Sequence, residues 1–264
     1  MHFAEPLQGG RFLRRYRRFF MDFMGIDGAE YTAHCPNTGS LLGCQVEGAP
    51  VLIQPADNPN RKLRYTWKAI EIDGTWVGVD TSIANGLVAE AITGGVIPSL
   101  AGFERMLPEV KYGREGRSRI DLLLSSGGEP EGKGKRALYR GDERVYVEVK
   151  NTTLALSGPA GGGAGAESRR AAFPDAVTER GRKHLLELLD VVQQGHRAAL
   201  VFCVQRDDCA DFVPAAHIDP AYTETLKQAV RGGVELYALA ARVTASEIAL
   251  GRALPIDLEA AASV

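Results

Sequence analysis

The chain has 264 residues, of which 45% are hydrophobic and 24% are charged. This length suits one large or two ordinary domains, and the composition excludes a disordered or fibrous protein. No apolar run approaches the ~20 residues that a membrane-spanning helix requires. The first ten residues also lack the basic start, apolar stretch and cleavage site of a secretory signal. We therefore expect a cytoplasmic protein with no membrane partner.

The net charge of −2 conceals a difference between the two ends of the chain. Residues 1–68 contain nine Lys or Arg against six Asp or Glu, whereas the remainder contains 22 against 27. Such asymmetry indicates separate roles for the two parts. A basic front can hold phosphates, while acidic residues in the rear can bind a divalent metal.

Short apolar stretches and frequent turn signals predict β structure in residues 1–80. Asp73-Gly74 predicts a hairpin, and no helix is predicted in this part. The pattern favours a small barrel or sandwich, and an OB-like barrel of five strands is one candidate. The predicted strands are Phe19–Phe23, Glu30–Ala33, Val51–Gln54, Arg64–Asp73 and Trp76–Val79.

Residues 81–264 alternate between helical and strand patterns and predict a mixed α/β sandwich. Ser82 is a candidate N-cap for the first helix, and the last strand can be an edge that pairs across a homodimer. Two insertions, at 126–136 and 157–168, are predicted as a hairpin tip and a Gly/Ala-rich loop. The predicted helices are 82–93, Pro174–Gln194 and Ala221–Arg231, and the predicted strands are Met106–Tyr112, Ser118–Ser125, Arg144–Leu156, Ala198–Gln205 and Val234–Leu239.

The strongest chemical signal is Asp121 on one predicted strand and Glu148-Val149-Lys150 on the next. Side chains alternate along a strand, so Glu148 and Lys150 share a face. Two carboxylates can hold Mg²⁺ (or Mn²⁺), and a nearby lysine can stabilise charge on a phosphoryl group. The alternative is an ordinary Glu/Lys pair on a surface strand. The apolar neighbours of these residues favour a catalytic site, because burying unpaired charge is unfavourable.

Further candidates flank this set. Glu90 on the first helix can be a third metal ligand, or it can lie on a solvated helix face. The start of the second helix is rich in polar and basic residues that suit phosphate binding, although ordinary capping by Asp175 explains them equally well. The cleft candidates are Asp175, Arg180, Arg182, Lys183, His184, Gln205 and Arg206.

The front of the chain interleaves arginines with aromatic residues between positions 11 and 20. Arginines neutralise phosphates and planar rings stack on unpaired bases, so this pattern predicts nucleic-acid binding. A strand whose basic edges prevent aggregation is the alternative. The predicted contacts are Arg11, Arg14, Arg15, Arg17, Arg18, Arg61 and Lys62.

Nine stretches spread over nearly the whole chain resemble, in order, the sugar fermentation stimulation protein (SfsA) family. They are GRFLRRYRRF (10–19), HCPNTGSLLG (34–43), RKLRYTW (61–67), VGVDTSIANGLVAEAI (77–92), EVKYG (109–113), SRID (118–121), VEVKNTTL (147–154), FPDAVTERGRKHLLEL (173–188) and VQRDD (204–208).

The resemblance implies an α+β protein of two domains. An OB-like β-barrel (1–80) precedes a PD-(D/E)xK nuclease-like mixed α/β domain (81–264). It implies a nuclease core of Asp121, Glu148 and Lys150, with Glu90 as the first-helix acid. It also implies DNA binding without marked sequence preference and a regulatory link to maltose use. Two functions stay open: a Mg²⁺-dependent nuclease, and a non-catalytic regulator that binds nucleic acid, DNA rather than RNA.

Overall fold

The computed structural model describes residues 1–58, 60–113, 116, 118–131, 138–157 and 169–260. The predicted loop at 157–168 lies almost entirely outside these ranges, as does the tip of the predicted hairpin at 126–136. Within the described ranges, every helix is too short or too polar to cross a bilayer.

The first part of the chain is a closed barrel with an additional strand. Its strands are β1 (Gln8–Tyr16), β2 (Phe20–Gly25), β3 (Glu30–His34), β4 (Pro50–Pro55), β5 (Tyr65–Ile72) and β6 (Thr75–Gly78). Their order is β3-β2-β1-β4-β5-β6, and a parallel pairing of Ala33 with Tyr65 joins β3 to β5. Five strands thereby form a ring, and β6 continues from β5 through the predicted Asp73-Gly74 turn.

Alternating side chains of the barrel strands fill its interior. Phe12, Met21, Phe23, Ile53 and Trp67 are all buried there. Burial of such apolar side chains stabilises the barrel by roughly 1.5–3 kcal/mol each. This explains why a segment with weak local signals folds as one unit.

The second part is a six-stranded mixed sheet between helices, with a small three-stranded sheet beside it. The strands of this part are β7 (Arg105–Tyr112), β8 (Ser118–Ser126), β9 (Glu129–Glu131), β10 (Leu138–Arg140), β11 (Glu143–Thr152), β12 (Ala155–Ser157), β13 (Arg169–Phe173), β14 (Arg197–Val204), β15 (Cys209–Pro214), β16 (Glu235–Val243) and β17 (Ile248–Ala253). The large sheet has the order β17-β16-β14-β11-β8-β7, and the small sheet has the order β12-β13-β15. β9 and β10 pair as a short hairpin between β8 and β11.

The helices are α1 (Ala84–Thr93), α2 (Glu179–Gln193) and α3 (Pro220–Arg231). α1 packs its apolar side, including Leu87 and Val88, on one face of the sheet. α2 and α3 pack on the other face through Leu185, Leu188 and Leu226. Because strand side chains alternate, β11 and β14 contribute apolar residues to both cores.

The fold class predicted from the sequence is confirmed: an OB-like barrel precedes a mixed α/β domain. Several details were wrong. Ser82 is not an N-cap, since Asp80 accepts the hydrogen bond from the Ser82 N–H and a 3₁₀ turn precedes α1. The helix predicted from Pro174 begins at Glu179, where the Thr178 side chain caps it.

The strand predicted at Val234–Leu239 is not an edge. β16 lies between β14 and β17, and β17 was not predicted. A dimer through an exposed β16 edge is therefore excluded by the sheet itself. The strands β13 and β15 were missed too, because each is short and their parallel pairing joins segments that are distant in sequence.

A buried polar junction connects the two parts. Lys68 of β5 donates to Asp80 at 2.5 Å, and both side chains are at most 9% exposed. Asp80 also accepts from the Ser82 hydroxyl, and its carbonyl oxygen accepts from the buried side chain of Gln205. Gly78 donates its N–H to the Gln205 carbonyl oxygen. The Asp80 carboxylate thus connects the barrel to the start of α1, and backbone groups of Gly78 and Asp80 connect it to the end of β14.

We expect Asp80→Ala to lower the free energy of unfolding by about 3–5 kcal/mol, because it leaves the buried Lys68 ammonium unpaired. Urea denaturation measures this change. Glu224→Ala is the matched control: it removes an ion pair with Arg231 whose side chains are both more than 60% exposed, and it should change stability by less than about 1 kcal/mol. Equal effects of the two substitutions would contradict a structural role for the junction.

Candidate functional site

The candidate site lies where strands β8 and β11 stop pairing. Their antiparallel ladder runs from Ser126 opposite Glu143 to Leu122 opposite Val147. At the next position the Asp121 carboxylate accepts a hydrogen bond from the Val149 N–H at 2.7 Å. Its other oxygen accepts from the Asn85 amide of α1 at 2.9 Å. The end of the ladder therefore holds an oriented carboxylate instead of another strand pair.

Glu148 and Lys150 lie side by side on β11, as their spacing predicts. Lys150 Nζ is 2.6 Å from Glu148 Oε1, and the same oxygen hydrogen bonds with Nδ1 of His184 on α2. Val149 between them packs in the core on the α1 side of the sheet. Glu148 is only 2% exposed, so its charge lies in the interior and needs these two partners.

The two carboxylates differ in their protonation equilibria. Burial raises the pKa of Asp121, and the nearby negative charge of Glu148 raises it further. Burial also opposes ionisation of Glu148, but the hydrogen bond from His184 and the charge of Lys150 outweigh it and lower the pKa of Glu148. The pair thus consists of a firmly ionised Glu148 and an Asp121 whose charge is disfavoured by its neighbour.

This arrangement fits a divalent cation. Glu148 Oε2 is buried and has no hydrogen-bond partner among the described residues, which is unfavourable for a carboxylate oxygen. A cation between Asp121 and Glu148 would satisfy that oxygen and relieve the repulsion between the two charges. The described residues contain no group of three or more His, Cys, Asp and Glu placed as metal ligands. Two carboxylates suffice for Mg²⁺, which completes its shell with water and substrate oxygens.

A cavity of about 570 Å³ opens over these groups. Asp121, Glu148 and Lys150 line it together with four further basic or imidazole side chains: Arg119, Arg180, Lys183 and His184. An anion entering the cavity therefore meets cations contributed by β8, β11 and the first turns of α2. The structure thus brings the predicted residues Arg180, Lys183 and His184 to the same cavity as the carboxylates.

Glu90 is not part of this group, contrary to the prediction that it is a metal ligand. Its carboxylate accepts from the Met1 amino group at 2.6 Å and lines a separate cavity of about 340 Å³ with Leu87 and Leu250. Glu90 follows Asn85 by five positions, so the two side chains point about 140° apart around the helix axis. The α1 residue that contacts Asp121 is therefore Asn85.

Four other cleft candidates lie outside the cavity. Arg182 is exposed on α2 but does not line it. Asp175 accepts from the Ser40 hydroxyl at 2.8 Å and so connects the segment before α2 to the barrel. Gln205 donates to Asn151 and to the Asp80 carbonyl oxygen, and Arg206 is buried with its guanidinium on Asp208. These last two residues are structural.

Four of the predicted arginines of the front have hydrogen-bonded partners, although Arg11 and Arg14 remain exposed. Arg14 pairs with Asp22 at 2.9 Å, and Arg15 donates to the carbonyl oxygens of the loop 37–40. Arg11 donates to the Gly48 carbonyl oxygen, and Arg61 donates to the Thr66 hydroxyl.

The remaining basic residues of this region point outward. Arg17 and Arg18 are exposed at the turn between β1 and β2, both with positive φ, and Lys62 is exposed as well. The neighbouring Phe19 is 49% exposed, and Tyr16 stacks on Phe20.

Sequence reasoning missed three residues at the site: Asn85, Glu109 and Arg119. Arg119 precedes Asp121 by two positions on β8, so alternation alone would have placed it on the same side. Asn85 is a polar residue in the first turn of an otherwise apolar helix, which is a usable signal. Glu109 lies on β7 with a positive φ of 55°, and no sequence pattern predicts that bend.

Comparison with known proteins gives matches along nearly the whole chain. The model of the sugar fermentation stimulation protein RE domain matches residues 82–247, and that of the SfsA N-terminal OB domain matches residues 13–79.

Among the relatives, two sugar fermentation stimulation protein homologs illustrate the likeness. The one from Geotalea daltonii is 46% identical over 98% of this chain and 100% of its own length. The one from Rhodospirillum rubrum is 47% identical over 97% of this chain and 99% of its own length. The structure of Pyrococcus furiosus SfsA in complex with Ca²⁺ superposes with a TM-score of 0.78 at 27% identity, covering 97% of this chain and 98% of that one. The chain therefore belongs to the sugar fermentation stimulation protein (SfsA) family.

Proposed function

We propose that the protein is a divalent-metal-dependent phosphodiesterase that hydrolyses nucleic acid, with DNA as the favoured substrate. The observation that carries this proposal is the pairing of Asp121 with the buried, partly unsatisfied Glu148 beside Lys150. A carboxylate pair and a lysine at the end of two strands are groups that can carry out metal-dependent phosphodiester hydrolysis. The Ca²⁺ of the related Pyrococcus furiosus structure supports a divalent cation, and we infer Mg²⁺ or Mn²⁺ as the activating ion.

The residues of the cavity have separate tasks in this proposal. Arg119, Arg180 and Lys183 bind nonbridging phosphate oxygens and bring the phosphodiester over the carboxylates. Asp121 and Glu148 would hold a divalent cation, which would supply Lewis-acid activation of the phosphoryl group. Lys150 stabilises the negative charge that grows on the phosphoryl oxygens as water attacks and the bond to the leaving sugar oxygen breaks.

Three residues act by positioning the carboxylates. Asn85 and the Val149 N–H fix the two oxygens of Asp121. His184 hydrogen bonds with Oε1 of Glu148 and leaves Oε2 free. Rigid orientation of this kind favours catalysis because little reorganisation is needed during the reaction.

A second candidate function is binding of nucleic acid without hydrolysis, as in a regulator of sugar (maltose) metabolism genes. The exposed turn with Arg17, Arg18 and Phe19 favours it, because cations beside an exposed ring suit a single strand. This surface belongs to the barrel and needs no metal. The two functions are compatible, since a barrel that grips a strand can present it to the cavity.

We expect Lys150→Ala to lower kcat for cleavage by about 10²–10³-fold, the usual effect of removing one preorganised charge from a transition state. Labelled single- and double-stranded DNA and RNA are incubated with Mg²⁺, with Mn²⁺ and with EDTA. Cleavage should require the metal and should be lost in Glu148→Ala with binding largely retained.

Glu90→Ala is the matched control for these variants. It removes a carboxylate that lies outside the cavity, so cleavage should stay within about twofold of the wild-type rate. Undiminished cleavage by Glu148→Ala would exclude hydrolysis at this site. Metal-independent cleavage would contradict the role of the carboxylate pair.

We expect the double variant Arg17→Ala/Arg18→Ala to bind single-stranded DNA more weakly. The slope of log K against log salt should fall by about one unit for each phosphate that the variant no longer neutralises. Fluorescence anisotropy over a salt series measures both quantities. Arg231→Ala, an exposed arginine on α3, is the control. An unchanged slope in the double variant would exclude this turn as a phosphate-binding surface.

A further inference from the structure

A second, smaller cavity lies at the junction of the barrel and the α/β domain. Its volume is about 170 Å³. The loop after β3 contributes residues 37–39, the end of β11 and the following turn contribute residues 151–154, and Asp175 closes it from the α2 side. Both parts of the chain thus build the cavity, and the barrel loop forms one of its walls.

The loop that forms this wall is held in place. Asn37 is 5% exposed, and its Oδ1 accepts from the Gly39 N–H at 2.7 Å. Arg15 donates to the carbonyl oxygens of Asn37 and Gly39. A Cβ at position 39 would lie 3.0 Å from Asn37 Oδ1 and 3.2 Å from Asp175 Oδ2, so glycine permits this close approach. The wall is therefore preformed.

The charged groups of this cavity differ from those of the first. Its polar lining consists of amides, threonine hydroxyls and the Asp175 carboxylate, and no Lys or Arg is among the described lining residues. The hydrogen bonds that Asp175 accepts from Ser40 and Leu41 end on Oδ2. A phosphate is repelled by such a surface, whereas sugar hydroxyls and neutral base edges find acceptors and donors there.

The two cavities are neighbours along β11. Lys150 lines the 570 Å³ cavity over the carboxylates, here called the basic cavity, and Asn151, the next residue, lines the small one. The backbones of these two residues are about 3.3 Å apart along the strand, but their side chains point to opposite faces of the sheet, so the path between the cavities runs around the end of β11. A ligand that spans the end of β11 can therefore place a phosphate over the carboxylates and an uncharged group in the small cavity.

We propose that the small cavity is a subsite for the terminal sugar of a nucleic-acid strand, with its free hydroxyl directed at Asp175. This inference rests on the proposed function, because it places the scissile phosphodiester in the basic cavity. The volume is below the roughly 300–1,000 Å³ typical of pockets that enclose a whole small ligand. It has room for one ring-sized group, and a free hydroxyl at Asp175 requires a strand that ends there. The enzyme accordingly prefers strand ends over internal positions.

Binding of oligonucleotides with different ends tests the subsite without requiring cleavage. An internally labelled single-stranded DNA is prepared with a 5′-phosphate and 3′-hydroxyl, with a 5′-hydroxyl and 3′-phosphate, and with phosphates at both ends. Affinities for the full-length protein are measured in Ca²⁺ by fluorescence anisotropy. One of the first two should bind about tenfold more tightly than the doubly phosphorylated strand, because that strand brings a like charge to Asp175. The tighter one identifies the recognised end.

Thr38→Tyr fills the cavity from an exposed position, and it should abolish the preference between ends. Thr93→Tyr, at an exposed position on α1 that lines neither cavity, should retain the preference. Asp175→Asn should reduce the preference by removing the repelling charge.

Equal binding of all three strands would overturn the subsite, as would a preference that survives Thr38→Tyr. A failure to bind any of the strands would overturn the subsite and the nucleic-acid substrate together. A clear preference without any cleavage in Mg²⁺ or Mn²⁺ would support the subsite and refute hydrolysis alone, so the two failures are distinguishable.

Discussion

The burial of one carboxylate, Glu148, constrains the architecture around it. An ionised side chain with 2% exposure in a central strand is unfavourable by several kcal/mol unless neighbouring groups compensate its charge. Lys150 provides compensation from the same strand, and α2 provides His184. α2 must therefore pack where His184 reaches Glu148, and the apolar contacts of Leu185 and Leu188 hold the helix in that position on the sheet. The cavity is a consequence of that packing.

The barrel is connected to the α/β domain by hydrogen bonds at two places. Asp80 and Gln205 connect its last strands to α1 and β14, while Ser40 donates to Asp175 just before α2. Both connections reach segments that carry or precede site residues. In the proposed function, a strand bound by the barrel would be held at a defined position relative to the carboxylates.

Much of the fold and the centre of the site could be predicted, because both rest on local patterns. Alternation along a strand placed Glu148 and Lys150 together, and apolar neighbours marked Asp121 as unusual. Glu90 was misplaced because its orientation depends on how α1 rotates against the sheet, which only packing determines. β13 and β15 were missed because they pair with distant segments. The order of β16 and β17 likewise depends on tertiary contacts and not on propensity.

The bend at Glu109 affects more than the cavity it lines. β7 is an edge strand of the large sheet, and edge strands offer unpaired backbone N–H and C=O groups with which a strand of another chain can pair. Pro108 lacks an N–H, and the next residue has a positive φ that turns the backbone out of the regular extended path. Together they interrupt this edge where a foreign strand would have to align. The residue that brings a carboxylate to the cavity therefore also interrupts the regular edge that pairing with a foreign strand requires.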